Sequence, residues 1–246
     1  VMLLPHAVWP DVEAYLKESR GVIIPICSTE QHGPNGMVGT DAICAEAVGR
    51  RVGEAAGAMV APTLPIGMAV HHMAFAGSMT LRPSTFLALI ADCVQSLAHH
   101  GFRQFFFVNG HGGNIAPLRA AFSEIHWERA RAGQPELTFA IANWWENEAV
   151  GRLSRELFGS AEGSHATPSE VSVTWHLHPD AASKVKPTPA VAPGGGFHGP
   201  ADYRRRFPDG RIGSDPSLAS AAHGARLLDA AVSSITEQYR QFVASA

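Results

Sequence analysis

The stretch GVIIPICSTEQHG, Gly21 to Gly33, begins as an unbroken apolar run and ends with an acid, an amide and an imidazole in consecutive positions. An apolar run without alternation is what a strand buried on both faces requires, as in a parallel sheet covered by helices. The rest of the chain repeats that logic. DAICAEAVGRRVGEAAG follows as an amphipathic helix, then MVAPTLP and STFLALIADCVQSLAHHG, QFFFVNG and NIAPLRAAFSEIHWERARAG, and LTFAIAN. Strands alternating with helices predict an α/β domain with a mostly parallel sheet. Ser84 is read as an N-cap after Pro83, and Gly101 and Gly133 as helix stops. After Pro179 the chain becomes rich in Gly and Pro, and Pro187 to Pro216 reads as a long loop. A closing helix is expected from about Leu218 to Val243.

Composition narrows the function classes. At 246 residues, 46% hydrophobic and 17% charged, the chain is read as one domain spanning 1–246. The net charge of -3 offers no basic footprint for nucleic acid, and Arg204, Arg205 and Arg206 are read as a solvated loop face. No apolar segment reaches membrane-spanning length, and the opening VMLLPHAVWP meets Pro too early for a secretory core. Cys27, Cys44 and Cys93 lack a CxxC spacing and suit burial in a reducing compartment. The expectation is a cytoplasmic protein with neither membrane nor nucleic-acid partners.

Ligands of open α/β sheets bind beyond the carboxyl ends of the strands. Glu30, His32 and Asp41 follow the first strand, and NGHGGN, Asn109 to Asn114, follows the third. Glu30 and His32 are two apart in an extended segment and can point the same way. With Asp41 and His111 they make a mixed oxygen and nitrogen set suited to Zn, Mn or Fe(II). Each has a plainer reading: Asp41 as a helix cap, and NGHGGN as a glycine-rich anion nest. In GSHATPSEVSVTWHLHP, Gly163 to Pro179, Thr167, Pro168 and Glu170 spell a capping box, yet Glu170 can also face a metal. His165 precedes that helix in a Gly-Ser approach suited to an acid/base, while His176 and His178 are read as structural.

STEQHG with a following TD, then NGHGGN, then HxxxxE at the head of a late helix resembles the creatininase (creatinine amidohydrolase) family, from about Gly21 to Leu177. The resemblance implies a three-layer α/β/α fold with a mostly parallel central sheet. It implies a two-metal enzyme hydrolysing amide-type C–N bonds, with Zn foremost and Mn or Fe(II) as alternatives, and a homo-oligomer, hexameric in many members. The family also includes a formamide deformylase of deazaflavin biosynthesis and a mycofactocin precursor peptidase. Carried over, Glu30, Asp41 and His111 hold one metal, His32 and Asp41 the other, and His165 is the catalytic acid/base. Where creatininase has a Glu two residues after the motif histidine, this chain has Gly113, so Glu170 is assigned to the second metal. HHMAFAGSMTL matches the family's HxxFPGTxSL and places His72 and Ser78 near the mouth with Gly112, Trp145 and Glu162. Gly112 replaces an aromatic residue, and Ala161 with Glu162 replaces a Trp-Asp pair. A creatinine-sized ring would lose its stacking partner, so a different small amide is the expected substrate.

Overall fold

The structure is a computed structural model that describes residues 2–183 and 185–245. Five parallel strands form one sheet in the order β1-β3-β2-β4-β5: β1 Met2–Leu3, β2 Gly21–Ile26, β3 Met59–Val60, β4 Gln104–Asn109 and β5 Thr138–Asn143. The central pair runs from Gly21 opposite Gln104 to Ile26 opposite Asn109, so their carboxyl ends finish level.

The sheet is covered on both sides, which explains the unbroken apolar runs. Val22, Ile24, Ile26, Phe105 and Phe107 pack on one face, with residues of α1 (Trp9–Glu18), α3 (Pro83–His100) and α4 (Ile115–Arg131). Ile23, Phe106, Val108 and Ala142 pack on the other, against α2 (Thr40–Ala56), α5 (Glu148–Phe158), α6 (Pro168–Leu177) and α8 (Ala221–Ala244). These are the three layers that the resemblance implies. Among the described residues no helix is long and apolar enough to cross a membrane.

Several boundaries differ from the sequence reading. The run MVAPTLP is regular only over Met59–Val60; Pro62 and Pro65 carry no N–H to continue a ladder. Pro83 is the first residue of α3, so Arg82 and not Ser84 takes the cap position. The last helix begins at Ala221, with the Ser220 side chain accepting the His223 N–H at 3.1 Å. The Gly/Pro-rich segment contains a helix, α7 (Pro200–Arg206), anchored by buried Tyr203. The arginine triplet therefore lies on a helix. Arg205 and Arg206 pair with Asp202, and Arg204 stands 4.3 Å over the Phe75 ring.

Candidate metal centre

The run Ser28–His32 leaves β2 and carries its side chains under a cluster of imidazoles. Glu30 is fully buried; Ser28 Oγ donates to its Oε2 at 2.7 Å, which leaves Oε1 facing His111 Nδ1 and His72 Nε2, each at 3.1 Å. Asp41 lies in the first turn of α2, whose cap position is Gly39, and makes no capping bond. Its two oxygens diverge instead: Oδ1 is 3.0 Å from His32 Nε2 and Oδ2 is 3.3 Å from His111 Nδ1. The helix-cap reading of Asp41 thus gives way to one carboxylate facing two histidines.

Glu170 performs its predicted capping task with one oxygen and leaves the other facing His32. Its Oε1 accepts the Thr167 N–H at 2.5 Å and Thr167 Oγ1 accepts the Glu170 N–H at 3.2 Å, completing the capping box. Its Oε2 lies 3.9 Å from His32 Nε2. Glu170→Gln should therefore preserve the cap, changing stability by less than about 1 kcal/mol, while metal content falls by one equivalent. Unchanged metal content with lowered stability would leave Glu170 a cap and nothing more.

Hydrogen bonds assign the tautomers. His32 Nδ1–H donates to Glu30 O at 3.0 Å and His111 Nε2–H to Met68 O at 3.2 Å, which turns His32 Nε2 and His111 Nδ1 towards the carboxylates. His165 Nε2–H donates to Gln31 O at 2.8 Å, leaving Nδ1 at 3.9 Å from Glu30 Oε1. The Gln31 amide donates to His72 Nδ1 and Gly210 O, both at 2.9 Å, so His72 presents an N–H rather than a lone pair to Glu30. Outer bonds of this kind orient histidines that bind metals.

The donor set fits divalent cations. Glu30 Oε1 and Asp41 Oδ2 are buried with no well-directed hydrogen bond among the described residues, the nearby rings approaching off the bonding direction. Donors about 2.1 Å from a tetrahedral zinc stand about 3.4 Å apart, close to the 3.1 and 3.3 Å around His111 Nδ1. Three groups of donor atoms lie within 4.8 Å of one another: Glu30, His71 and His111; Glu30, His32 and His165; His32, Asp41 and Glu170. Protons perform part of a cation's task here. Burial opposes charge on His32, but Asp41 and Glu170 outweigh it and raise its pKa to about 10. For Glu170, burial, helped by Asp41 and opposed by His32, pushes its pKa up to about 7. His165 moves the other way: burial, reinforced by His32 and His72, holds it well below the usual histidine range. A cation entering this set would displace the Nε2 proton of His32.

Two loops hold the centre. In NGHGGN the N–H groups of Gly110, His111 and Asn114 bond Ile26 O, Asn109 Oδ1 and His111 O. Those three amides are taken by protein acceptors, so an anion nest in this loop would rest on the Gly112 and Gly113 N–H groups alone. Gly113 matters sterically: a Cβ there would collide with His111 Nε2 and Met68 O. The other loop is the far end of the Gly/Pro-rich segment, which folds back on the site. Fully buried Arg211 donates to Asp209, Ala190 O, Pro189 O and Ser214 O, while Ser214 Oγ donates to His165 O at 2.7 Å. That clamp positions the His165 segment, where Ala166 holds a φ of 53°.

A cavity of about 460 Å³ opens above the carboxylates, lined by Glu30, Asp41, His111, Gly112, Trp145, Glu162, His165 and Glu170 among others. Trp144 also reaches it but is almost wholly core, so the two tryptophans divide between wall and packing. Glu162 accepts a hydrogen bond from Ser169 Oγ and keeps a buried Oε2 without a partner among the described residues. His72 sits beneath the centre, stacked on His165 with ring centroids 4.3 Å apart, rather than at its mouth. Ser78 is outside the cavity lining; its Oγ accepts the Gln31 N–H at 3.1 Å. Sequence reasoning missed Gln31 and His71, although both adjoin residues it selected.

A family model described as creatinine amidohydrolase matches residues 5–239. A mycofactocin precursor peptide peptidase of Mycobacterium ulcerans is 31% identical over 223 residues, covering 84% of this chain and 79% of that protein. A creatinine amidohydrolase of Pseudomonas putida is 26% identical over 250 residues, covering 95% and 94%. The solved structure named creatininase Mn matches with a TM-score of 0.85 at 24% identity, over 98% of both chains, a likeness of fold.

Proposed function

Since this chain belongs to the creatininase (creatinine amidohydrolase) family, we propose that it is a dinuclear, metal-dependent hydrolase of a small linear or cyclic amide. The observation that carries the two-metal reading is the divergence of Asp41 Oδ1 and Oδ2 towards different histidines. Glu30, Asp41 and His111 would hold one ion, and His32, Asp41 and Glu170 the other. Two divalent ions, Zn foremost with Mn or Fe(II) as alternatives, would supply a nucleophile from water at neutral pH and polarise the substrate carbonyl.

The remaining steps fall to the chain. His165 lines the cavity and is neutral, with Nδ1 unprotonated, so it can take a proton at Nδ1 and return it to the departing nitrogen. An amide anion is too poor a leaving group to depart without that proton. Gln31 fixes the imidazole by accepting from Nε2–H, and Gly112 and Trp145 shape the wall beside the carbonyl. With no aromatic side chain at Gly112 and no Trp-Asp pair at Ala161 and Glu162, creatinine is a poor fit.

A second reading, cleavage of a peptide in cofactor biosynthesis, draws support from the 31% identity to a mycofactocin precursor peptide peptidase. One experiment tests both. Metal content is measured on untagged protein purified without added metal, then a panel of amides, lactams and peptides is assayed with and without chelator. Near two equivalents, and hydrolysis lost on chelation and restored by Zn, Mn or Fe(II), is the expected result; the cleaved class chooses between the readings. Hydrolysis that survives complete metal removal would overturn the mechanism.

A further inference from the structure

We propose that Arg155 binds a carboxylate on the substrate, so that the amide cleaved is part of an acid such as an N-acyl amino acid or a carboxylated lactam. The bond cleaved rests on the amidohydrolase reading above; the carboxylate rests on the outer half of the cavity. There the wall is α5, whose Gly151, Ser154 and Arg155 are three and four positions apart, lie on one face and all line the cavity. Arg155 is the one Lys or Arg in that lining among the described residues. Its helix neighbours are paired, Arg152 with Glu148 at 3.5 Å and Glu156 with Arg226 at 3.0 Å, whereas Arg155 has no ion pair among the described residues.

The acids that share this wall form no ion pair with Arg155 among the described residues, and one oxygen of each is held by a neighbouring side chain. Glu146 Oε2 accepts from Asn143 Nδ2 at 2.6 Å, and Glu162 Oε1 accepts from Ser169 Oγ. Gly151 lies directly beside the guanidinium, a methyl group there standing in ordinary van der Waals contact at 3.4 Å from Arg155 Nη1. A planar guanidinium presents two parallel N–H groups that match a carboxylate. An amide whose carbonyl lies over Glu30 and Asp41, with its carboxylate extending along α5, would occupy both ends of the cavity.

Matched probes separate this from binding at the metals. N-acetylglycine, N-acetyl-β-alanine and N-acetyl-4-aminobutyrate are titrated calorimetrically against their carboxamides into the metal-loaded protein, and initial rates are measured on the same six. At least one acid should bind about tenfold tighter than its carboxamide, the factor expected of one charge-assisted bond. In Arg155→Met that preference should fall below about twofold with metal content unchanged, and Arg155→Lys should restore part of it. Equal affinities in all three pairs, binding by none of the acids, or a preference that persists in Arg155→Met would overturn the proposal. Hydrolysis without acid preference would remove Arg155's role and leave the amidohydrolase standing. Acids held through Arg155 with no amide cleaved would do the reverse.

Discussion

In Asp41→Asn we expect metal content to fall from near two equivalents to below one, and amide hydrolysis to fall by at least about 10²-fold. The floor comes from outer-sphere partners of metal sites, whose loss alone typically costs 10–100-fold; a donor shared by both sites must cost more. Asparagine keeps the shape of the side chain and one acceptor oxygen but points an N–H₂ donor where the second oxygen faced a histidine. Both groups, at His32 and at His111, lose the negative charge, and whichever way the amide turns one of them also loses its acceptor oxygen. Thermal unfolding with and without added zinc provides a second readout. Wild-type protein should gain stability from the metal by mass action, and the variant should gain little. Two equivalents retained in Asp41→Asn would sink the bridging role.

Glu170 shows why two sequence readings of one carboxylate need not compete. A capping box engages one oxygen of the N3 acid with the cap N–H, and Oε1 performs that task. The second oxygen has no part in capping and stands in the same donor group as His32 and Asp41. At Asp41 the competing readings were exclusive, because a capping carboxylate would turn back to the amides of its own helix, whereas this one turns across to two imidazoles.

The sheet was legible because both of its faces are buried: an unbroken apolar run of six residues has few other uses in a chain of this composition. The Met59 strand was overcalled because hydrophobicity does not register the N–H groups that Pro62 and Pro65 lack. Helix α7 was missed because it is held by tertiary contact, with Tyr203 packed on Phe75 and Phe197, and not by a long periodic pattern. Within the site, types of side chain were legible but not their depth. HHMAFAGS shows two histidines and a serine. Only the folded chain reveals that His72 lies under Glu30 and that the Ser78 hydroxyl is occupied by the Gln31 N–H. Gln31 gave the sequence reader one signal, its place between two selected residues. Its role depends on Gly210, 179 positions away, whose carbonyl takes the other amide proton.

His165→Ala should lower turnover by about 10²–10⁴-fold, the usual contribution of a positioned general acid or base, while two equivalents of metal remain. The metal measurement matters because His165 also stands with Glu30 and His32 in a donor group; loss of an ion in this variant would make it a ligand instead. Geometry favours the acid/base role. His165 Nδ1 is 3.9 Å from Glu30 Oε1, against 3.1 Å for His111, and its carbonyl and Nε2–H are held by Ser214 and Gln31 with Nδ1 aimed at the cavity. The leaving group provides a test that a structural role would not pass. An anilide with an electron-poor ring departs with little need of a proton, whereas an alkyl amide needs one fully. The variant should therefore lose far more activity on the alkyl amide than on the anilide, and added imidazole should recover part of the alkyl amide rate. Equal losses on both, with no recovery, would mean that the histidine supports the site without carrying the proton.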